Sequence, residues 1–451
     1  MNVDITITIL LFYLCIIIAI GLITQKKAKT TNGFFLADRS ISTKTLAATI
    51  AATTIGGSAT IVAGGRIYQL GLPGLWYDLA GALGLIILGI FLAKKIRATQ
   101  LITLPDITGS LYDKKVRYVS AILILITEIA WVALLIQSSS LILSILLPFD
   151  YLILLVFTSC IFITYTLIGG QYAVIYTDII QFLIMLIGIC ILAAPLLLLE
   201  SIPYLDMIPT THLQFPINQH IGPLSMVSIF FMMFLPHIVG PDIYSKVLSA
   251  KDTTSARNGT ILSGIFKFIF AIAIGIIAIA ATILPTIQEN ITNPYMALPL
   301  AVSTLHPVLA GIILAAFIST MMSSADSCLL SAGTILSVDI TKKNTVLTSQ
   351  IGILIIGIAA LLLAVYHSIL GSILDTLQLA YTVFTAGLTL PVLFGFYKEK
   401  TKVTVKGALW SLILGGGSSL IFLQIKPYDT YAVIIGLILS LIPLVVLRNE
   451  T

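Results

Sequence analysis

The sequence predicts an all-α polytopic membrane protein of about thirteen transmembrane helices, and three observations carry that reading. Of its 451 residues 58% are hydrophobic and only 10% charged, with a mean hydropathy of +1.09, which excludes an ordinary soluble domain. Apolar runs of about 20 residues, the length that crosses a bilayer, recur along the whole chain between charged or Pro/Gly-rich breaks. The basic residues gather in every second connection.

The first run, 4–24, begins at Asp4 with no basic n-region, shows no small-residue cleavage site and is followed by Lys26, Lys27 and Lys29. It reads as a retained helix and not as a signal peptide. Further runs lie at 44–68, 74–95, 116–147, 151–169 and 173–199, then at 223–248, 257–284, 307–338, 345–367 and 370–396, and last at 405–425 and 430–447. Four segments follow: a leading helix and cytoplasmic loop (1–43), two sets of five helices (44–200 and 201–397) and two trailing helices (398–451). The longest polar connections are about twenty residues and the chain stops soon after Arg448, so no fused soluble module is expected.

Basic residues stand at Lys94/Lys95/Arg97, Lys114/Lys115/Arg117, Lys246/Lys251/Arg257, Lys342/Lys343, Lys398/Lys400/Lys402/Lys406 and Arg448. The alternate connections 200–222 and 286–304 contain no Lys or Arg, and only Arg66 and Lys426 fall on that side. The positive-inside rule then puts the N-terminus outside and the C-terminus in the cytoplasm of a cell-membrane protein. The net charge of +5 is a topology signal, and nucleic acid is not an expected partner. Cys15, Cys160, Cys190 and Cys328 lie in apolar runs without CxxC spacing and carry no redox information.

Two helices look interrupted. The second, Thr45 to Tyr68, contains Thr53-Thr54-Ile55-Gly56-Gly57-Ser58, and the seventh contains Pro236-His237-Ile238-Val239-Gly240-Pro241-Asp242. Glycine and proline at mid-membrane free backbone groups, which is tolerated only where protein or a water-filled cavity satisfies them. Either break alone can be a kink, or a close helix crossing through Gly56 and Gly57. Their five-helix spacing fits two inverted repeats, helices two to six and seven to eleven, and broken helices at matching repeat positions point to a central transport site.

The ninth run carries Thr320-Met321-Met322-Ser323-Ser324-Ala325-Asp326-Ser327, with Asp326 its only charge. An ionisable residue at that depth costs about 2.5 kcal/mol or more and is a functional-site candidate by default. The hydroxyls of Ser323 and Ser324 either bond back to a helix or serve as oxygen ligands for a small hard cation. Carbonyls freed at Ala52–Ile55 complete the pattern of a sodium site between the second and ninth helices. Proton coupling through Asp326 or Asp178 is the alternative, because a buried carboxyl can carry a proton.

Thr177, Asp178 and Gln181 open the sixth helix after Gly169-Gly170. There Asp178 either takes part in ion release near the inner mouth or caps the helix start, and Asp178, Asp326 and Thr177 are the candidates for a second ion or proton site. Glu128 and Trp131 share a face of the fourth helix, with Glu128 either paired to a donor or facing a cavity. His237 is either a local hydrogen-bonding residue or a solute contact. The half-helix amide ends at Thr54–Gly57 and Pro236–Gly240 can receive a carboxylate, which favours an amino acid or monocarboxylate. Candidate solute contacts are Thr53, Thr54, Ser58, Glu128, Trp131, His237 and Asp242. No phosphate loop, metal-spaced His/Cys cluster or nucleophile motif appears, so neither an enzyme nor a cofactor other than Na+ as coupling ion is expected.

These features together resemble the sodium:solute symporter family, which includes carriers of sugars, proline, pantothenate and choline, over nearly the whole chain. The most specific parts are Gly33-Phe34-Phe35-Leu36-Ala37-Asp38-Arg39-Ser40, the segment Gly169 to Gln181, and Met322-Ser323-Ser324-Ala325-Asp326-Ser327. The resemblance implies a LeuT-like fold of one leading helix, a five-plus-five inverted-repeat core and two trailing helices. Leu314-Ala315-Ala316-Phe317-Ile318-Ser319-Thr320 mimics the family's sodium motif one turn early. The sixteen residues from Ser323 to Asp339 match the family's interval, whereas Ser319 leaves an excess of four.

The sodium ligands carried over are the hydroxyls of Ser323 and Ser324 and the carbonyls of Ala52, Ile55 and Thr320. Thr320 replaces a usual alanine, and only its carbonyl is used. Local similarity is strongest to the choline branch, through Thr127-Glu128-Ile129-Ala130-Trp131. Its aromatic cage does not carry over: Thr54 and Gly240 stand where tryptophans are expected, and cation–π binding wants several aromatic faces. The implied activity is inward symport of a small organic solute with sodium by a monomer or loose oligomer in the lipid bilayer. A proton-coupled symporter and a quaternary-amine carrier are alternatives, and a solute sensor or passive uniporter on the same fold is the competing class.

Overall fold

In a bilayer every backbone N–H and C=O must find its partner inside the protein, which leaves the helix as the natural spanning element for a chain this apolar. The computed structural model describes residues 3–24 and 30–448, and Lys26, Lys27 and Lys29 lie outside them. The described residues are helical with short connections, and no strand occurs among them beyond isolated bridges.

The apolar helices, in chain order, are α1 (Val3–Thr24), α2a and α2b (Thr43–Thr54 and Ser58–Leu70), α3 (Leu72–Phe91) and α4 (Lys114–Leu146). The stretch Tyr151–Met207 has 57 residues, about 85 Å if straight, far more than the ~30 Å hydrocarbon core. It turns at Gly170 (φ 56°, ψ −168°), which divides it into α5 (151–169) and α6 (171–201). α7 (Pro223–Ser249) is a chain of pieces, of which α7a is Pro223–Phe234 and α7b is Pro241–Ser249. Then follow α8 (Thr253–Ile283), α9 (Pro307–Ile340), α10 (Val346–Leu370), α11 (Ile373–Phe396), α12 (Val405–Leu423) and α13 (Tyr428–Val446).

Side-chain caps open several of these where the sequence supplies an Asx or Ser/Thr residue. Ser42 accepts from the Thr45 amide ahead of α2a, Asp113 from Lys115 and Val116 ahead of α4, and Asp252 from Ser255 ahead of α8. Helix ends fall within about one turn of the positions expected from composition. By length and hydropathy ten described helices qualify as spans, and the α2a–α2b pair makes an eleventh. The expected thirteen is reached only by adding α1 and dividing Tyr151–Met207 at Gly170.

Both expected interruptions are present. α2a and α2b meet at 61°, with Ile55 (φ −100°, ψ 61°) ending the first half, and α7b starts at Gly240 (φ −59°, ψ 131°). α9 is the most enclosed span and packs against α1, α4, the α5–α6 pair and α10. Outer helices show apolar side chains such as Leu362, Ile369, Ile438 and Val446 at the surface, where lipid solvates them. One basic residue departs from the charge pattern. Lys246 does not belong to a cytoplasmic connection but is fully buried in α7b, because a carboxylate meets it there.

The turn at Gly170 needs a residue without a side chain: the backbone lies in a glycine region, and a Cβ would fall 2.6 Å from the Phe34 ring. Gly170→Ala is expected to cost about 1–3 kcal/mol, measured as a lowered unfolding temperature of the purified protein in detergent. An unchanged midpoint would contradict this reading of the turn.

Candidate functional site

An α-helix ends with carbonyls that have no partner in the helix, and α2a ends inside the protein, where water does not serve all of them. The Ala51 carbonyl takes the Ile55 amide at 3.1 Å. The Ala52 carbonyl accepts the Ser323 hydroxyl at 2.9 Å, and the Thr53 carbonyl accepts the Ser324 hydroxyl at 2.6 Å. The Thr54 carbonyl accepts from the Lys267 ammonium at 2.6 Å. Both serine hydroxyls also lie beside the Thr320 carbonyl, at 3.3 and 3.0 Å.

One cluster thus joins the Ala52 and Thr320 carbonyls to the two hydroxyl oxygens. The remaining expected ligand, Ile55, is fully buried at the residue where α2a stops. Such a cluster is neutral. Each hydroxyl donates one hydrogen to a carbonyl and keeps lone pairs that a cation can use after the hydroxyl turns. Ser327 extends the cluster, with its oxygen 3.0 Å from the Thr53 hydroxyl.

Beside it lies a tight cavity of about 50 Å³, smaller than a fully open small-molecule site. Thr53, Thr54, Ser58, Trp131, His237 and Asp242 all line it, and Ser324 belongs to both the cavity and the oxygen cluster. Glu128 does not line it. It is fully buried one turn before Trp131 and faces Cys328 and Ser331 of α9. Three residues of helix turn it about 60° away from Trp131, enough to separate their surroundings.

Sequence reasoning missed Tyr381. Its hydroxyl lies 2.9 Å from Ser58 Oγ, its ring meets Trp131 edge-on at 5.4 Å and stacks near His237 at 6.4 Å. Phe384 stands behind Trp131 at 5.1 Å. Trp131 therefore has aromatic neighbours, but they come from α11, and no local pattern there distinguishes them. His237 is both things the sequence allowed: it lines the cavity, and its Nδ1 lies 2.7 Å from the Met233 carbonyl. That contact assigns the proton to Nδ1 and leaves Nε2 as an acceptor. Asp242, in the first turn of α7b, is half-buried and forms no ion pair among the described residues.

Two buried ion pairs surround the broken helix. Asp178 pairs with Lys246, and both meet the Thr49 hydroxyl of α2a, which the ammonium approaches at 2.7 Å. Asp178 therefore does not cap α6: it lies two turns inside the helix, and its charge is matched by the lysine. The Thr177 hydroxyl is spent on its own helix, donating to Ala173 and Val174 carbonyls at 2.9 and 3.0 Å. Asp78 of α3 pairs with Lys267 of α8. Neither partner was singled out in the sequence, although a lysine ten residues beyond Arg257 in an apolar run is the signal that finds it. Asp326 stands apart: Oδ1 accepts from Thr166 at 3.3 Å, and Oδ2 is buried without a hydrogen-bond partner among the described residues.

A bundle of apolar helices with two mid-membrane breaks, a neutral oxygen cluster at one of them and a small polar and aromatic cavity between them has the make-up of a secondary transporter. The chain belongs to the sodium:solute symporter family, whose family model matches residues 34–415. The high-affinity choline transporter 1 of Drosophila melanogaster is 25% identical over 80% of this chain, and the chain spans 62% of that protein's length. The osmoregulated proline transporter OpuE of Bacillus subtilis is 24% identical, with 98% of this chain and 94% of that protein covered. Among solved structures, the substrate-bound outward-open state of a Na+-coupled sialic acid symporter matches with a TM-score of 0.82 at 18% identity. It covers 98% of this chain and 97% of its own, which shows the LeuT-like fold class.

Removing one partner of a buried pair strands the other charge, at a cost of about 3–5 kcal/mol. Asp178→Asn and Lys246→Met are each expected to lower stability by that order in denaturant or thermal unfolding. The double variant should recover most of the loss, and a double variant as unstable as the sum of the singles would refute the pairing.

Proposed function

We propose that this chain moves a zwitterionic amino acid inward with sodium, and that the ion is held by the carbonyls of Ala52, Ile55 and Thr320 and the hydroxyls of Ser323 and Ser324. The observation that carries the reading is the pair of contacts from Ser323 and Ser324 to the Ala52 and Thr53 carbonyls. They tie α9 to the end of α2a, and Ser324 is also a wall of the cavity. An ion in the cluster bridges α2a and α9, so the positions of Thr53 and Thr54 in the solute cavity depend on it. That is a direct mechanical link between ion and solute.

The cavity favours a solute with both charges. The amide end of α2b at Gly57–Ser58 suits a carboxylate. The amide end of α7b does not compete for it, because Asp242 already supplies a negative charge in that first turn. Asp242 instead turns a carboxylate toward the cavity, with the His237 Nε2 acceptor nearby, and both suit an ammonium. Trp131 and Tyr381 offer aromatic faces to the cationic nitrogen or to the apolar part. Proline and choline, the solutes named for relatives, share a cationic nitrogen, and only proline adds a carboxylate. A monocarboxylate leaves Asp242 uncompensated and is the poorer fit.

The two sets of five helices, 44–200 and 201–397, act as inverted repeats in this reading, with the N-terminus outside and the C-terminus in the cytoplasm. A second cavity of about 650 Å³, lined by Arg66, Asp375 and Lys426 among others, opens on the face whose connections lack basic clusters. Tyr381 lines the central cavity and its neighbour Thr382 the larger one. The arrangement suits an outward-facing state in which the Tyr381–Ser58 contact separates vestibule from solute site. If a proton moves as well, Asp326 is the group that carries it, since Asp178 is matched by Lys246.

Thermal-shift and uptake measurements in sodium against potassium, with panels of amino acids, monocarboxylates, quaternary amines and sugars, test this directly. An amino acid should stabilise the protein only in sodium and accumulate against its gradient. Ser323→Ala should weaken apparent sodium affinity at least tenfold, about 1.4 kcal/mol or more. Asp242→Asn should cost the amino acid a similar factor. Full sodium dependence in Ser323→Ala, or a hit confined to monocarboxylates, would overturn the ion site or the solute class respectively.

A further inference from the structure

Beyond Arg257, Lys267 is the one charged residue of α8. Its side chain is 1% exposed and paired with Asp78, itself 2% exposed. It donates to the Thr54 carbonyl at 2.6 Å. Lys267 does not line the solute cavity, whereas Thr54, whose carbonyl it holds, does. Gly81 on α3 leaves the space for this arrangement: a Cβ there would lie 2.8 Å from Lys267 Cε and 2.7 Å from His237 Cε1. The ammonium is thus shut behind the cavity wall and is not a solute contact.

Its position has a chemical meaning. The carbonyl end of a helix carries a partial negative charge of about half an electron and attracts cations. At the end of α2a the carbonyls divide between two kinds of partner. Ala52 and Thr53 face neutral hydroxyls of α9, which an exchangeable ion can replace. Thr54 faces a fixed cation. Around that cation stand a carboxylate and a carbonyl, hard oxygen donors of the kind that would hold a monovalent metal ion, and the Asp78 Oδ2 atom has no hydrogen-bond partner among the described residues.

We propose that Lys267 is a tethered cation occupying the place of a second coupling ion at the carbonyl end of α2a, so that the chain binds one sodium per cycle instead of two. Replacing it with a small residue opens a sodium site formed by Asp78, the Thr54 carbonyl and water from the adjacent cavity. The count of one rests on the sodium cluster proposed above, but the tethered cation stands on its own contacts. The measurement below separates the two.

Equilibrium binding of radioactive sodium to the purified protein, with potassium as the balancing salt, needs no knowledge of the solute. The wild type should bind one sodium per chain and Lys267→Ala two. Lys267→Ala with Asp78→Asn should return to one, because the new site loses its carboxylate. Lys267→Ala with Ser323→Ala should also bind one, at the new site only. In transport, the Hill coefficient for sodium should rise above one in Lys267→Ala, its ceiling being the number of ion sites.

A folded Lys267→Ala protein that binds no more sodium than the wild type overturns the proposal. A wild type that binds none while Lys267→Ala binds one overturns the Ser323 cluster and supports the tethered cation. Lys267→Ser provides a second small side chain. If both variants are recovered in sodium but not in potassium, sodium is replacing the ammonium, as proposed. If both unfold equally in the two salts, the vacated site does not take sodium and the proposal fails.

Discussion

A helix that stops halfway through a membrane protein has to find donors for its last carbonyls, and the end of α2a sets that requirement for the whole bundle. Its successive carbonyls Ala52, Thr53 and Thr54 are met by Ser323, Ser324 and Lys267, residues far apart in sequence. Two consecutive serines on α9 are needed because two consecutive carbonyls face that helix. A long side chain from α8 is needed because the third carbonyl points elsewhere. The enclosure of α9, the approach of α8 to α2a and the cavity between the breaks follow from bringing these donors to one point.

The contacts on the two sides of α2a differ in kind. Lys246 and Lys267 hold it to α7b and α8 through ammonium groups, each backed by a carboxylate. The α9 side holds it through neutral hydroxyls. Buried ion pairs are weak evidence for stability, but in the low-dielectric interior breaking one strands a charge, so they resist separation. Neutral hydrogen bonds are worth about 1 kcal/mol net. In the proposed cycle the α2a–α9 contact is therefore the one expected to yield, and it is the contact an ion would reinforce.

Much of this was legible along the chain because it is encoded locally. Apolar runs gave the helices to within a turn, Gly-Gly and Pro-His-Ile-Val-Gly-Pro gave the breaks, and the Ser323-Ser324 pair stood out against its apolar surroundings. What failed were the charged and aromatic residues whose partners are brought by packing. Lys246 sits among basic residues of a connection and looks like one of them, until Asp178 on another helix claims it. Asp178 looks like a cap because it follows a Gly-Gly turn, and only the fold reveals the lysine. Lys267 and Asp78 are isolated charges whose pairing spans two helices. Tyr381 became part of the cavity because α11 lies against α4, not because of its neighbours in sequence. Glu128 shared a helical face with Trp131 by spacing, yet α9 covers it.

The choice of serine at the proposed ion cluster has a physical reason that the ion pairs make plain. A coupling ion has to leave in every cycle, and whatever binds it must tolerate being left. A carboxylate ligand stripped of its cation inside a helix bundle is a stranded charge, as costly as either half of Asp178–Lys246 or Asp78–Lys267 alone. A serine hydroxyl can instead turn its hydrogen onto the nearest carbonyl, as the hydroxyls of Ser323 and Ser324 do toward Ala52, Thr53 and Thr320. In the proposed cycle ligand and carbonyl would satisfy one another once the ion has left, which keeps the cost of release low. The two carboxylates that back the ammonium groups holding α2a, Asp178 and Asp78, are matched by lysines, and the proposed exchangeable position is left to neutral oxygen.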